Sequence, residues 1–292
     1  MMDRKTFLKV SGGFSGGLLV MSGLPFLSGC TKQNMNQEIK FGLQLYTLRA
    51  AMPDDPRGVL RQVAGFGYKQ IESYEGPMGI YWGMGPAGFK QYLDDLGMEI
   101  IASHCNIHDN FEQKAADAAS IGMKYLVCPW IGHQESIDAY KQQADLFNTC
   151  GEICRKEGIR FAYHNHAYTF ETMDGVYPQD VLMEHTDPAL VDYELDIYWV
   201  VTAGADPITW IRKYPDRFVL SHVKDRKRDE PLSNTDASVT LGTGMIDYPG
   251  IVGVAKAHGM RYFFVEQEQY EGTTPIDSVR DNAVYMKSLL VS

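Results

Sequence analysis

Between residues 159 and 223 the chain carries three short apolar runs in succession: Ile159-Arg160-Phe161-Ala162-Tyr163-His164, Val191-Asp192-Tyr193-Glu194-Leu195-Asp196 and Phe218-Val219-Leu220-Ser221-His222-Val223. Runs this apolar are buried on both faces, as the strands of a parallel sheet are. Each closes on or beside a residue capable of chemistry, and each gap leaves room for one helix and a return. The unit repeats outward in both directions. Further strands are predicted over Lys40 to Tyr46, Lys69 to Tyr74, Met98 to His104, Lys124 to Cys128 and Arg261 to Glu266. Amphipathic patterns such as Pro56 to Ala64 and Gln142 to Glu157 fill the gaps, and Gly67, Gly97, Gly122, Gly158 and Gly259 stand where helices would stop. Eight βα units with no Pro/Gly/Ser linker among them predict an α/β fold, a (β/α)8 TIM barrel, in a single domain over residues 39–292.

In such a barrel the carboxyl ends of the strands converge on one rim, where catalytic groups gather. The groups at or near those ends are Gln44, Glu72, His104, Cys128 with Trp130, His164, Asp196, His222 and Glu266. The longest gap, from His222 to Glu266, contains a polar insert from Arg226 to Ile246. It begins with the charge run Arg226-Lys227-Arg228-Asp229-Glu230 and ends Gly242-Thr243-Gly244. The insert reads as an active-site loop, with a solvated surface loop as the competing reading. Gly-Thr-Gly by itself does not imply phosphate binding.

Composition narrows the class of function. The 292 residues are 45% apolar and 22% charged, with 28 Gly and 13 Pro, which excludes a disordered, collagen-like or coiled-coil chain. With 37 acidic and 27 basic side chains the net charge is -10, so a nucleic-acid backbone would be repelled over most of the surface. No uninterrupted apolar run reaches the length of a membrane span. The N-terminus instead has the layout of an export signal: Arg4, Lys5 and Lys9, then a weakly apolar segment from Val10 to Phe26, then Leu27-Ser28-Gly29-Cys30, which resembles a bacterial lipobox. Arg4-Lys5-Thr6-Phe7-Leu8-Lys9 resembles the twin-arginine motif with Lys in the second basic place. Residues 1–29 are therefore expected to be a lipoprotein signal and residues 30–38 a polar tether. The mature chain is expected to be periplasmic or membrane-anchored, touching the membrane only through its N-terminal lipid. The remaining Cys105, Cys128, Cys150 and Cys154 match no zinc spacing, and Cys150 with Cys154 marks a packed helix face rather than a disulfide.

Five segments together resemble the xylose-isomerase-like TIM-barrel family: Tyr163-His164-Asn165-His166, Glu194 to Trp199, Ser221-His222-Val223-Lys224-Asp225, Gly242 to Asp247 and Val265-Glu266-Gln267-Glu268. Its members include sugar isomerases and epimerases, inosose dehydratases, lyases acting on 3-keto-glycosides and the repair enzyme endonuclease IV. The resemblance implies one divalent metal held at the rim by His164, Asp196, His222 and Glu266. Two imidazoles with two carboxylates suit Mn, Co, Zn or Fe better than Mg. Taken singly, each residue has a plainer reading: a strand-end His is often hydrogen-bonded core, and Asp196 could cap a helix or pair with Arg212.

The resemblance also implies proton abstraction next to a carbonyl, on a small-molecule carbohydrate. The sugar epimerases of the family carry Glu where this chain has His164, and there two metal-bound glutamates exchange protons on opposite faces of the sugar. With that pair broken, Glu266 is left as the one metal-side base, so elimination from a non-phosphorylated keto-sugar or 3-keto-glycoside is favoured over epimerisation. His166, His104, Glu72 and Lys224 are the other candidate proton carriers. By strand alternation Lys224 faces the same way as His222 and could hold a substrate hydroxyl, against the alternative of a rim lysine paired with Asp225. Gln44, Tyr46, Trp130 and Trp199 are candidate substrate contacts, with Tyr198 a further apolar wall; ordinary core is the competing reading for the aromatics. A non-catalytic sugar-binding lipoprotein is the alternative outside enzymes. The endonuclease branch is excluded by its three zincs and its need for a cationic face.

If Cys30 is the lipidated N-terminus, Cys30→Ser should release the protein from the membrane fraction. Unchanged fractionation, with no lipid mass on an N-terminal peptide, would contradict it.

Overall fold

Eight parallel strands close on themselves in a computed structural model that describes residues 40–291. The expected signal, the Cys30 site and the tether lie outside the described residues. In chain order the strands are β1 (Gly42–Gln44), β2 (Gln70–Tyr74), β3 (Glu99–His104), β4 (Tyr125–Cys128), β5 (Arg160–His164), β6 (Val191–Asp196), β7 (Phe218–Val223), the short β8 (Asp225–Arg226) and β9 (Ser238–Val239), and β10 (Tyr262–Val265). Strands β1 to β7 and β10 form the barrel, β10 closing it between β7 and β1; β8 and β9 pair as a separate antiparallel ribbon. The helices are α1 (Pro56–Phe66), α2 (Gly85–Asp95), α3 (Phe111–Ser120), α4 (Ile137–Lys156), α5 (Pro178–His185), α6 (Ile197–Thr202), α7 (Pro207–Lys213), α8 (Tyr248–Ala257) and α9 (Pro275–Val291). The predicted TIM barrel is the observed fold.

Local chemistry sets the boundaries. Asp55, Asp206 and Asp247 cap α1, α7 and α8 by accepting first-turn backbone N–H groups, each with a proline at the start of its helix. All five glycines expected to stop helices have positive φ, as at Gly67 with φ 101°, where a side chain would be strained. β1 is shorter than predicted. The Gln44 side chain accepts the N–H of Tyr46 at 3.0 Å and turns the chain into a 3-10 helix over Leu45–Leu48.

Two apolar layers hold the barrel. One lies between strands and helices; the other fills the interior with Ile101, Ala102, Tyr125, Val127, Ala162, Val219, Leu220 and Phe264. That plug closes the barrel below the carboxyl rim, so the polar strand ends face only the open side. All four described cysteines are free and buried, Cys150 and Cys154 on the inner side of α4.

The insert departs from expectation. It is no part of the site wall; its tip is exposed, as the competing reading expected, but its two ends are packed into a strap. Arg226, the first residue of the charge run, is fully buried: its guanidinium donates to Tyr198 Oη, Thr202 Oγ1 and the carbonyls of Pro231 and Asn234. Next to it, the Asp225 carboxylate accepts four backbone N–H groups, from Arg226, Gly242, Gly244 and Ile246, at 2.8 to 3.1 Å. Gly-Thr-Gly therefore cradles an anion supplied by the chain itself. A Cβ on Gly244 would come within 2.4 Å of the Arg226 carbonyl oxygen and 2.2 Å of Asp225 Oδ1. Gly244→Ala is expected to destabilise the fold by about 1–3 kcal/mol, the usual cost of overpacking, measured by thermal or denaturant unfolding.

Candidate active site

Strand alternation brings the polar side chains inward. On β6 Glu194 and Asp196 are two residues apart and both project into the barrel, Glu194 opposite His164 and Asp196 opposite His222 in the neighbouring strands. On β2 and β3, Tyr74 lies opposite His104, with Glu72 two residues deeper.

Two carboxylates form the floor. Glu194 Oε2 accepts from His104 Nε2 at 2.8 Å and from His164 Nδ1 at 3.1 Å, with His222 Nε2 at 3.3 Å. Glu72 Oε2 accepts from His222 Nε2 at 2.6 Å. Burial works against the charge on Glu194, but His222, His104 and His164 overcome it and hold its pKa well below the carboxylate range. Glu72 has less compensation: burial and the neighbouring Glu194 push it up to about 7. Burial alone would depress the His222 pKa, yet Glu194, Glu266 and Glu72 lift it well above the usual imidazole value.

These floor bonds orient what lies above them. With Nδ1–H given to Glu194, His164 turns its Nε2 lone pair toward Asp196 Oδ2, 3.9 Å away. With Nε2–H given to Glu72, His222 turns Nδ1 toward Asp196 Oδ2 at 3.6 Å and Glu266 Oε2 at 3.3 Å. Imidazoles that ligate metals are oriented in this way by a carboxylate on the far nitrogen. Asp196 splits its roles: Oδ1 caps α6 by accepting the N–H of Trp199 at 3.1 Å, and Oδ2 is buried with no hydrogen-bond partner. The pairing with Arg212 is not made; the cap is. The ligand atoms of Asp196, His222 and Glu266 lie within 4.8 Å of one another, close enough to hold a metal ion, and a cation there would satisfy the orphaned Oδ2. A second possible group, His104, His164, Glu194 and His222, is already occupied by its own N–H to carboxylate bonds.

Lys224 is buried and does not pair with Asp225. Its Nζ lies 3.3 Å from Glu266 Oε2, bonds the Glu268 carboxylate, and sits 4.8 Å over each of the rings of Tyr198 and Trp199. Burial disfavours its charge, but Glu266, Glu268 and Asp196 raise its pKa above the ordinary lysine value. In return Lys224 and His222 keep Glu266 well below the carboxylate range despite its burial.

Above this cluster opens a cavity of 530 Å³, a size typical of small-molecule sites. Of the candidates named from the sequence, Tyr46, His104, Trp130, His164, His166, Trp199 and Glu266 line it. Asp196, His222 and Lys224 are buried and form no part of its wall. Glu72, held under His222 at zero exposure, is out of a substrate's reach. Gln44 is fully buried and serves its own turn rather than a ligand. Tyr198 is also buried, its hydroxyl anchoring the strap through Thr235 and Ala237. Cys128 is walled in, its thiol pushed up to about 12 by burial. His166 is fenced by Trp130, Tyr168 and Trp199, with ring centroids at 4.5, 5.9 and 5.0 Å. Its Nδ1 has no partner, and burial with His164 and Lys224 nearby depresses its pKa strongly, so the ring is neutral.

Sequence reasoning passed over Glu194, Glu268, Glu75 and Asn106. Glu194 had a usable signal, because period two puts it on the same side of β6 as Asp196. Glu75 and Asn106 lie on loops and meet through the bond from Asn106 N–H to Glu75 Oε2 and through Lys114, which donates to Glu75 Oε2 and the Asn106 carbonyl, both at 2.9 Å.

A family model described as the xylose isomerase-like TIM barrel matches residues 60–289. Inosose dehydratase of Geobacillus kaustophilus (strain HTA426) is 27% identical over 199 residues, 59% of this chain and 62% of its own. That of Clostridium tetani (strain Massachusetts / E88) is 34% identical over 93 residues, 32% of this chain and 30% of its own. The chain thus spans less than two thirds of the length of these curated relatives. A solved sugar phosphate isomerase/epimerase from Parabacteroides distasonis ATCC 8503 superposes with a TM-score of 0.75 at 29% identity, over 89% of this chain and 97% of that one. The IolI protein with a bound zinc atom shares the fold, at 16% identity and TM-score 0.70, over 86% and 98% of the two chains.

Adding Mn, Co or Zn to the protein should raise its melting temperature and leave about one bound ion per chain by elemental analysis. Asp196→Ala with His222→Ala should abolish both effects, and stoichiometric metal in that double variant would contradict the assignment. Glu72→Gln should only weaken binding, by about 10–100-fold, as loss of an orienting partner does.

Proposed function

The chain belongs to the xylose isomerase-like TIM barrel family, and on that premise we propose that it is a divalent-metal-dependent enzyme of carbohydrate chemistry. It takes the proton next to the carbonyl of a non-phosphorylated keto-sugar or keto-glycoside and completes the reaction by elimination. The observation that carries this reading is a shared wall: Glu266 from the cluster of Asp196, His222 and Glu266, and His164 beside it, line the same cavity as His166, a neutral imidazole whose Nδ1 has no partner. The relatives named inosose dehydratase support it.

His164, Asp196, His222 and Glu266 would hold the metal, which when bound supplies Lewis acidity toward a carbonyl oxygen. The proton is taken by the protein's own groups. Glu266, singled out from the sequence as the base, has Oε2 engaged by both Lys224 and His222, so His166 is the freer acceptor. As the C–H bond breaks its electron pair forms the double bond, and the oxygen on the next carbon departs. The proton on His166 returns to that oxygen, which leaves as water or an alcohol, so one imidazole balances the step.

Charge selects against phosphate. The ionic side chains of the cavity wall are Glu75, Glu266 and Glu268, with no Lys or Arg among them, and the strap's glycine cradle is filled by Asp225. An exported enzyme would meet unphosphorylated sugars, so the expected signal fits the same choice. Epimerisation through the same proton abstraction is the second reading, favoured by the likeness to the Parabacteroides distasonis protein over 97% of that chain.

Incubating the metal-loaded protein with a panel of keto-sugars and keto-glycosides in deuterated water should place solvent deuterium in recovered substrate or give an eliminated product. His166→Asn should lower the rate by about 10²- to 10⁴-fold, the usual loss of a general base, with metal content unchanged; an undiminished rate would move the role to Glu266, tested as Glu266→Gln. His164→Glu should raise epimerised by-product relative to eliminated product. Clean inversion of one centre by the wild type, with no elimination, would establish the second reading.

A further inference from the structure

The cavity has a buried end and an open end. His164 and Glu266 are 3% and 6% exposed, whereas Tyr46 and Trp130 at the mouth are 39% and 57% exposed. An indole left open to that degree loses the apolar burial that normally keeps tryptophan inside. Yet its loop is fastened on every side. Cys128 Sγ donates to the Trp130 carbonyl, the Ile131 N–H donates to Tyr168 Oη at 3.3 Å, and Gln134 Nε2 donates to the carbonyls of Ile131 at 2.6 Å and Gly132 at 3.3 Å. The indole stands nearly perpendicular to the rings of His166 and Tyr168, at 85° and 82°. Gly132, at φ +70°, leaves the space beside the indole nitrogen clear; a Cβ there would lie 3.4 Å from Nε1. The ring is thus fixed in position while most of its surface remains uncovered.

From this we propose that Trp130 is the platform of an outer subsite that stacks a second sugar ring, joined to the keto-sugar that reacts beside His166. The proposal rests on the function inferred above and fixes the substrate class as a glycoside rather than a free monosaccharide. Three features choose this occupant. The flat apolar face of the indole matches the C–H face of a neutral ring, and the cavity's 530 Å³ holds more than one hexose. The cavity wall presents no Lys or Arg to an anionic substituent, its Glu75 and Glu268 being already paired with Lys114 and Lys224. Both tryptophans touch His166, but Trp199 is far less exposed and lies against the buried Lys224 ammonium at 4.8 Å, so it serves the reacting ring at the inner end and leaves the outer ring to Trp130.

The test is calorimetric titration of the full chain with glucose and with maltose, cellobiose and trehalose, in wild type, Trp130→Ala and Trp130→Phe. At least one disaccharide should bind wild type about three- to tenfold more tightly than glucose, the scale of one stacking contact. Trp130→Ala should abolish that preference and Trp130→Phe should keep most of it. Disaccharides that bind wild type no better than glucose would overturn the subsite. So would equal weakening of one-ring and two-ring ligands in Trp130→Ala. Deuterium exchange into keto-sugars reports on the function separately: preference without exchange sinks the enzyme and leaves the subsite, and exchange without preference does the reverse.

Discussion

Glu194 carries a negative charge at zero exposure inside a closed barrel, a placement tolerable only when ionisable partners surround it. Those partners are His104, His164 and His222, from β3, β5 and β7, while the carboxylates beneath them come from β2 and β6. Alternate strands thus supply alternate charges to one layer, as alternate strands supply side chains to the layers of any such barrel. Because each of these imidazoles gives a ring nitrogen to Glu194 or Glu72, its ring plane is set from below. That His164 Nε2 faces Asp196 and His222 Nδ1 faces Asp196 and Glu266 is a consequence of the floor.

The upper half of the cluster has an excess of carboxylate. Asp196, Glu266 and Glu268 surround a single ammonium, that of Lys224, while Glu75 in the cavity wall has its own partner in Lys114. Lys224 is shielded from the cavity by the groups it neutralises, so its charge steadies Glu266 and Glu268 instead of meeting a ligand. Near Asp196 the relief is weakest: Lys224 and His222 stand 3.9 and 3.6 Å from Oδ2, too far to give it a hydrogen bond. The acidity that makes a cation welcome in the floor makes an anion unwelcome in the cavity.

Most of the fold was legible because its signals are local. Apolar runs, the polar groups that end them, and glycines at positive φ belong to segments of a few residues, and topology then forces eight such ends onto one rim. The rim candidates His164, Asp196, His222 and Glu266 came together for that reason, although their role as metal ligands stays a proposal. What the sequence concealed depends on contacts between distant strands. Glu194 looks like any strand acid until the barrel closes over it, and Glu72, named as a candidate proton carrier, shows its place beneath His222 only then. Gln44 stands at a strand end like the others, but its side chain reaches two residues along its own backbone and never enters the site. Arg226 opens a charge run and would be read as solvated by any local rule; the hydroxyls of Tyr198 and Thr202 and two carbonyls of its own loop explain its burial. Lys224 and Asp225 are adjacent and opposite in charge, yet strand alternation turns them to different sides, so the obvious ion pair is not formed.

The strap between β7 and α8 is held by two consecutive residues, each satisfied largely by the segment it anchors: Asp225 by backbone N–H groups of its own return, Arg226 by carbonyls at its tip. It is therefore a cassette with its fastenings built in. The barrel contributes the hydroxyls of Tyr198 and Thr202, and receives in exchange the Ser238 hydroxyl, which accepts the backbone N–H groups of Glu268 and Gln269. Side chains at the exposed Arg228 and Asp229 can change without touching either fastening, whereas Thr235 and Asn234 hold theirs through backbone carbonyls and the barrel must keep the two hydroxyl hooks. Such a module gives a common scaffold a way to vary its outer surface while the position of Glu268 over the lysine stays constant.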